Sequence, residues 1–309
     1  MATGSPVETA DRVAGVCICV VCRGSAADNV AVQMGDACLR VCAVCGSWTW
    51  FPRESAARQT AVHDNDDYFE HPYFVVRRMV TPALRRRSKD VFLRISKVMD
   101  VSRLRGQRLL DIGCDTGVFL SIAHEEFGIV PVGLDVAGRA IQFARESGIE
   151  AYHTTIEEAP AQLSGFAVAT AIDLIEHVPD PAAFLKAVAR RLDPGGVVYV
   201  ETPNIRSMVY RFGRLLFKLS HGWPKTLMSR LFPPQHIQYF TPASFRRLAQ
   251  DAGLEVAEFG IRVLPWSDIA ASWPALVVIE IFQILDRILG TKILIWAVLR
   301  RSLNGPHGK

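Results

Sequence analysis

From Arg108 onward, short apolar runs alternate with amphipathic segments. Leu109-Leu110-Asp111-Ile112 reads as a strand, and Val118 to Phe127 reads as a helix stopped by Gly128. Ile129 to Leu134 gives the next strand and Ala137 to Ser147 the next helix. Glu150 to His153 is a short strand, and Phe166 to Ile172 a longer apolar one. Pro181 to Leu192 follows as a helix closed by the turn Asp193-Pro194-Gly195-Gly196, then Val197 to Glu201 as a β-branched strand. Pro242 to Ala252 predicts a helix, Glu255 to Val263 a strand, 273–289 an apolar helix, and Lys292 to Leu299 a last strand. This βαβα alternation predicts a parallel sheet with helices on both faces. A sheet of that kind binds its ligand at the C-terminal ends of its strands.

The segment before Arg108 has a different grain. Residues 1–14 read as a flexible tail, 15–55 as a cysteine-bearing module, and 56–100 as a helical connector. In the connector Tyr68, Phe69, Tyr73, Phe74 and Met79 precede the basic run Arg85-Arg86-Arg87; Val91, Phe92, Ile95 and Val98 then follow at helical spacing. Residues 101–309 form the main domain, with a cap insertion at 205–240.

Six of the seven cysteines fall within the first 45 residues. An odd, one-sided count argues against a disulfide scaffold and for a reducing compartment and a metal. Cys19-x-x-Cys22 and Cys42-x-x-Cys45 are knuckles whose spacing fits a tetrahedral Cys₄ zinc site, with Cys17 and Cys38 spare. A secretory signal over Val13 to Val21 is disfavoured by Glu8 and Asp11 before it and by the lack of a small-residue cleavage site. The apolar stretch Ala275 to Leu289 is too short and too interrupted to span a bilayer. A net charge of +4 on 309 residues is too small to imply nucleic acid, and no stacking platform or basic arm accompanies it.

Chemistry concentrates in Leu109-Leu110-Asp111-Ile112-Gly113-Cys114-Asp115-Thr116-Gly117, where a strand ends on an acid and a glycine-bearing turn opens a helix. Val118 breaks the dinucleotide-binding pattern G-x-G-x-x-G. Asp135 closes the second strand, where a carboxylate accepts from ribose hydroxyls. Asp173, Glu176 and His177 gather after the apolar strand, and His236 lies in Pro233-Pro234-Gln235-His236-Ile237-Gln238-Tyr239-Phe240.

These blocks, with Gly133-Leu134-Asp135, Leu192-Asp193-Pro194-Gly195-Gly196 and Thr202-Pro203-Asn204, come in the order found in class I S-adenosylmethionine methyltransferases, which residues 100–300 resemble. The resemblance implies a Rossmann-like seven-stranded sheet with helices on both faces and S-adenosyl-L-methionine as cofactor. In it Asp111 orients the methionine amino group, Gly113 and Gly117 line it, Asp135 holds the ribose, Ile156 packs on the adenine and Asp173 sits at the mouth of the site. Asp115 stands where the family often has glycine. The N-terminal module resembles the zinc ribbon carried by some methyltransferases, with structural Zn²⁺ on Cys19, Cys22, Cys42 and Cys45. The acid-x-x-Glu-His pattern with a distant His resembles the divalent-metal site of ubiquinone-pathway O-methyltransferases and of small-RNA 2′-O-methyltransferases, which usually have Glu where this chain has Asp173, and implies Mg²⁺ on Asp173, Glu176, His177 and His236. Three readings stay open for that cluster: a metal site, histidine general bases without metal (His177, His236, with Asp173), or a structural role.

No Asp or Glu occurs between Glu201 and Asp251, a stretch rich in Arg, Lys and large apolar residues. The expectation is a cytoplasmic methyltransferase acting on a hydroxyl of a small lipid-, sugar- or quinone-like molecule, amphiphilic or carrier-linked. Peripheral contact with the inner membrane face through 205–235 and 273–289 is weighed against a cap that packs on the core. Nucleic-acid methylation, or cofactor binding without turnover, is the alternative.

Overall fold

The computed structural model describes residues 12–13, 16–51, 79–220, 231–233, 235–265 and 273–301. Most of the tail, residues 52–78 with Tyr68, Phe69, Tyr73 and Phe74, and residues 221–230 of the cap insertion lie outside the described residues.

The alternating half forms one seven-stranded sheet. Its strands are β6 (Arg108–Ile112), β7 (Val130–Asp135), β8 (Glu150–His153), β9 (Phe166–Ile172), β10 (Leu192–Pro203), β12 (Leu254–Arg262) and β13 (Leu294–Arg301). Their spatial order is β12-β13-β10-β9-β6-β7-β8. Strands β6 to β10 pair in parallel, whereas β13 runs antiparallel to both β10 and β12. From β6 the chain winds outward through β7 to β8, then returns to the other side of β6 with β9. That reversal opens a crevice at the strand tips where Asp111 and Asp173 lie.

The helices are α1 (Pro82–Ile95), α2 (Val118–Phe127), α3 (Gly138–Glu146), α4 (Pro181–Arg191), α5 (Met208–Ser220), α6 (Pro242–Asp251) and α7 (Trp273–Leu289). Helix α1 starts where a Thr81 cap accepts from Leu84 N and Pro82 presets the first turn. It turns Val91, Phe92 and Ile95 inward, and Phe92 stacks on Phe127 of α2 at 3.9 Å between centroids. The Asp193-Pro194-Gly195-Gly196 turn is absorbed into β10. Leu192 pairs with Phe166 and Val197 with Val168, so the segment bulges within the strand rather than separating helix from strand.

The cysteine module is a small antiparallel sheet: β1 (Arg12–Val13), β2 (Val16–Ile18), β3 (Ser25–Met34), β4 (Ala37–Cys42) and β5 (Trp48–Phe51). Its far edge is completed from the other half of the chain. β11 (Gln238–Tyr239) pairs with β5 through Gln238–Thr49 and Tyr239–Trp48. One residue on, Phe240 bridges to Asn204, just beyond β10. Trp48, Trp50, Tyr210, Phe232 and Tyr239 close a shared core between the two halves.

Glu201 is a charge buried in the central sheet. Arg262 reaches both its oxygens at 2.7 and 2.8 Å, Arg87 one at 2.9 Å, and the Tyr199 hydroxyl donates at 2.7 Å. Burial alone would raise this carboxyl; the Arg262 and Arg87 guanidiniums hold it below its ordinary value. Arg262→Ala leaves Glu201 with one cation in a dry environment and should cost about 3 kcal/mol in denaturant unfolding. An unchanged midpoint would show that the pair contributes nothing to stability.

Candidate functional site

The turn after β6 takes a backbone that few residues accept: Gly113, Asp115 and Gly117 have φ of 76°, 51° and 78°. Asp115 thus adopts the left-handed conformation that glycine would, one of the few side chains that tolerates it. The loop is braced by Asp135 at the tip of β7. One carboxylate oxygen accepts from Asp115 N at 2.8 Å and the other from Ala137 N at 2.9 Å. Burial pushes the Asp135 carboxyl up, and those amides pull it back part of the way. Gly133 lets Cys114 pack here, since a Cβ on it would sit 2.5 Å from the Cys114 sulfur.

Beside this loop opens a solvent-accessible cleft. Asp111, Gly113, Cys114, Asp115 and Thr116 line one wall; Leu84, Arg87 and Ser88 of α1 line the other. Asp111 is buried and accepts from Thr170 Oγ1 at 2.6 Å. Thr116 Oγ1 is buried without a hydrogen-bond partner, so the wall offers a polar atom that the protein does not use. Ile156, expected against an adenine, is buried in the main core beside β7. Gly117 caps the start of α2, so the amides of its first turn face the loop.

Arg87 is the cation lining this cleft. It donates to Asp173 at 2.6 Å as well as to Glu201. Asp173 itself has φ of 54°, and its amide donates to Glu201 O. Strain of this kind in a non-glycine residue collects at functional sites. The sequence shows Arg87 only as part of a basic run, yet Arg87, Val91 and Ile95 fall four residues apart on one helical face. That spacing is the signal that could have found it.

The structure brings Glu176, His177 and His236 together, with their ligand atoms within 4.8 Å of one another. Asp173, expected in the same set, is turned to Arg87 instead. Glu176 is buried; Thr202 Oγ1 donates to one of its oxygens at 2.8 Å, and the other has no hydrogen-bond partner. Burial, then the charge of Asp173, pushes its carboxyl up to about 8. His177 Nδ1 donates to the Gln235 carbonyl at 2.8 Å, which leaves Nε2 as the accepting nitrogen. The His236 ring meets His177 edge-on at 4.7 Å. Gln238 donates to the carbonyls of Ile175 and Val178, so the strand that joins the two sheets also clamps the loop carrying Glu176 and His177.

The four knuckle cysteines converge. Cys19 and Cys45 sulfurs are 3.7 Å apart and Cys22 and Cys42 sulfurs 3.6 Å apart; the Ser47 hydroxyl meets Cys45 at 3.0 Å. Cys38 is buried against Phe51, outside this group. The knuckles touch the main half directly: Thr241 Oγ1 donates to Cys45 O, and Arg23 pairs with Asp180, the N-cap of α4.

A family model described as a methyltransferase domain matches residues 83–258. The ubiquinone biosynthesis O-methyltransferase of Aromatoleum aromaticum is 33% identical over 176 residues, which is 54% of this chain and 71% of the relative. The protein of the same name from Thiobacillus denitrificans is 32% identical over 173 residues, covering 54% and 72%. Among solved structures, geranyl diphosphate C-methyltransferase from Streptomyces coelicolor A3(2), in complex with Mg²⁺, geranyl diphosphate and S-adenosyl-L-homocysteine, superposes with a TM-score of 0.51 at 18% identity. It covers 75% of this chain and 86% of that one, a likeness of fold. The family match spans more than half of the 309 residues and takes in the glycine loop, Asp135 and the Glu176–His177 turn. The chain therefore belongs to the methyltransferase-domain family and is a class I S-adenosylmethionine-dependent methyltransferase.

Proposed function

We propose that this protein methylates a hydroxyl of a small, quinone-like amphiphile, with the acceptor brought to Glu176, His177 and His236. The observation that carries the reading is the convergence of these three side chains. The names of the O-methyltransferase relatives support the acceptor class.

S-adenosylmethionine supplies an activated sulfonium methyl. Asp111 orients the amino group at its methionine end, between Gly113 and Gly117. Asp135 keeps acceptor capacity after bracing the loop, and this accepts the ribose hydroxyls. Arg87, the cation in the cleft wall, meets the methionine carboxylate, with Asp173 as its partner until then. His177, its Nδ1 committed to Gln235 O, presents Nε2 to the acceptor proton, and His236 flanks it.

The same three residues suit a divalent cation. Two imidazoles and a carboxylate with one unsatisfied buried oxygen form a borderline oxygen/nitrogen donor set. Bound there, Mg²⁺ or a similar ion supplies Lewis acidity toward the acceptor. The cysteines suit zinc more closely. A tetrahedron with Zn–S of about 2.3 Å requires sulfurs about 3.8 Å apart, and the pairs lie at 3.6 and 3.7 Å. A full Cys₄ shell leaves no open position, so this site is structural.

His177→Ala is expected to lower kcat about 100-fold with cofactor affinity retained. The measurement is transfer of labelled methyl to a prenylated catechol, alongside calorimetry with S-adenosylmethionine. Full activity in the variant removes His177 from the chemistry. Tight cofactor binding with no transfer to any hydroxyl acceptor removes the acceptor class.

A further inference from the structure

Helix α7 is turned inside out. Its buried face carries Gln283 and Asp286, 1% and 0% exposed. Asp286 accepts from Met208 N at 2.8 Å and from Thr291 Oγ1 at 2.6 Å, so the polar side anchors the helix to the start of α5. The outward face carries Val278, Ile281, Ile284 and Ile288, between 47% and 73% exposed. A helix that faces water has the opposite arrangement. Helix α5 packs alongside through Phe212 and Phe282 and extends the apolar surface with Leu215 and Leu219. An apolar face of this extent marks a surface that is covered in use.

We propose that the α5–α7 face docks on an anionic lipid bilayer, with both helices lying in the plane of the headgroups. Charge selects this occupant. Arg211 and Lys218 are exposed and flank Leu215 at helical spacing, and α5 contains no acid. On α7 the acids are accounted for: Asp286 is buried, and Glu280 is held by Arg287 at 2.7 Å. Cations beside an apolar stripe suit a negatively charged interface. A second copy fits poorly, because a two-fold contact through this face sets the same cations against one another. None of the described helices is long and apolar enough to cross a membrane, so the contact is in-plane. This surface stands apart from the acceptor reading and is tested without methyl transfer.

The test is flotation of the full-length, zinc-loaded protein with vesicles of phosphatidylcholine alone and of phosphatidylcholine with phosphatidylglycerol. The protein should float with the anionic vesicles and be released by salt. Ile284→Asp with Ile288→Asp should weaken that binding about tenfold or more without changing the melting temperature, since both side chains are exposed. Arg211→Glu with Lys218→Glu should remove the preference for anionic vesicles. Absence of flotation with anionic vesicles overturns the proposal, as does binding that the Ile pair leaves unchanged. A dimer in light scattering that the Ile pair splits, with no flotation, overturns it in favour of self-association.

Discussion

Cys42→Ser is expected to cost the protein its metal and most of its activity while sparing the cofactor site. Cys42 is one of four sulfurs that converge where β4 ends. Losing one ligand of a structural zinc site removes a contribution of several kcal/mol to folding of the lobe it holds. The damage should reach the acceptor site along a short path. The knuckle around Cys45 is tied to Thr241, β5 pairs with β11, and Gln238 of β11 clamps the carbonyls around Glu176 and His177. His236 lies in the same segment. Metal content should fall below one zinc per chain and kcat by about 100-fold or more, as when catalytic groups are displaced by about an ångström. S-adenosylmethionine affinity should stay close to wild type, because Asp111 and Asp135 lie on β6 and β7 and the glycine loop follows β6. Cys38→Ser is the control, since Cys38 packs on Phe51 and should leave the zinc in place. A zinc-free Cys42→Ser enzyme with normal turnover would separate the ribbon from the chemistry.

Asp135→Ala should reduce S-adenosylmethionine affinity by about 100-fold or more, read by calorimetry with the cofactor and with its demethylated product. Two effects combine. Charge-assisted hydrogen bonds to the ribose are worth about 1.5–3 kcal/mol each. The side chain also braces Asp115 and Ala137, so its removal frees a loop that holds three left-handed residues. Asp135→Asn tests the second effect. An amide keeps one oxygen acceptor but turns an N–H₂ toward a backbone N–H, so the loop should remain loose. Near-normal affinity in both variants would falsify the ribose assignment.

The parallel core was legible because its signals are local. β6, β7 and β9 follow from apolar runs, and the glycine loop follows from residues next to one another in the chain. The inward position of Arg87 was readable from its register with Val91 and Ile95, though nothing in the sequence names Asp173 and Glu201 as its partners. The convergence of the knuckle cysteines followed from spacing. What the sequence did not disclose depends on distant pairing. Gln238–Tyr239 is too short to announce itself as a strand, and only β5 makes it one. Asp173 carries the ligand pattern in sequence, but a buried guanidinium captures it. The apolar character of 273–289 was visible; that Gln283 and Asp286 face inward was not, because periodicity gives two faces and not their orientation.

The joining of the ribbon's edge to β11 bears on how this chain comes apart. Neither half completes its own boundary: the ribbon borrows its last strand, and the main half borrows Trp48 and Trp50 to cover Tyr210, Phe232 and Tyr239. A calorimetric scan should therefore show one cooperative endotherm rather than two. A fragment cut before α1 would be born with an aromatic wound and a raw strand edge, and would clump before it could be assayed.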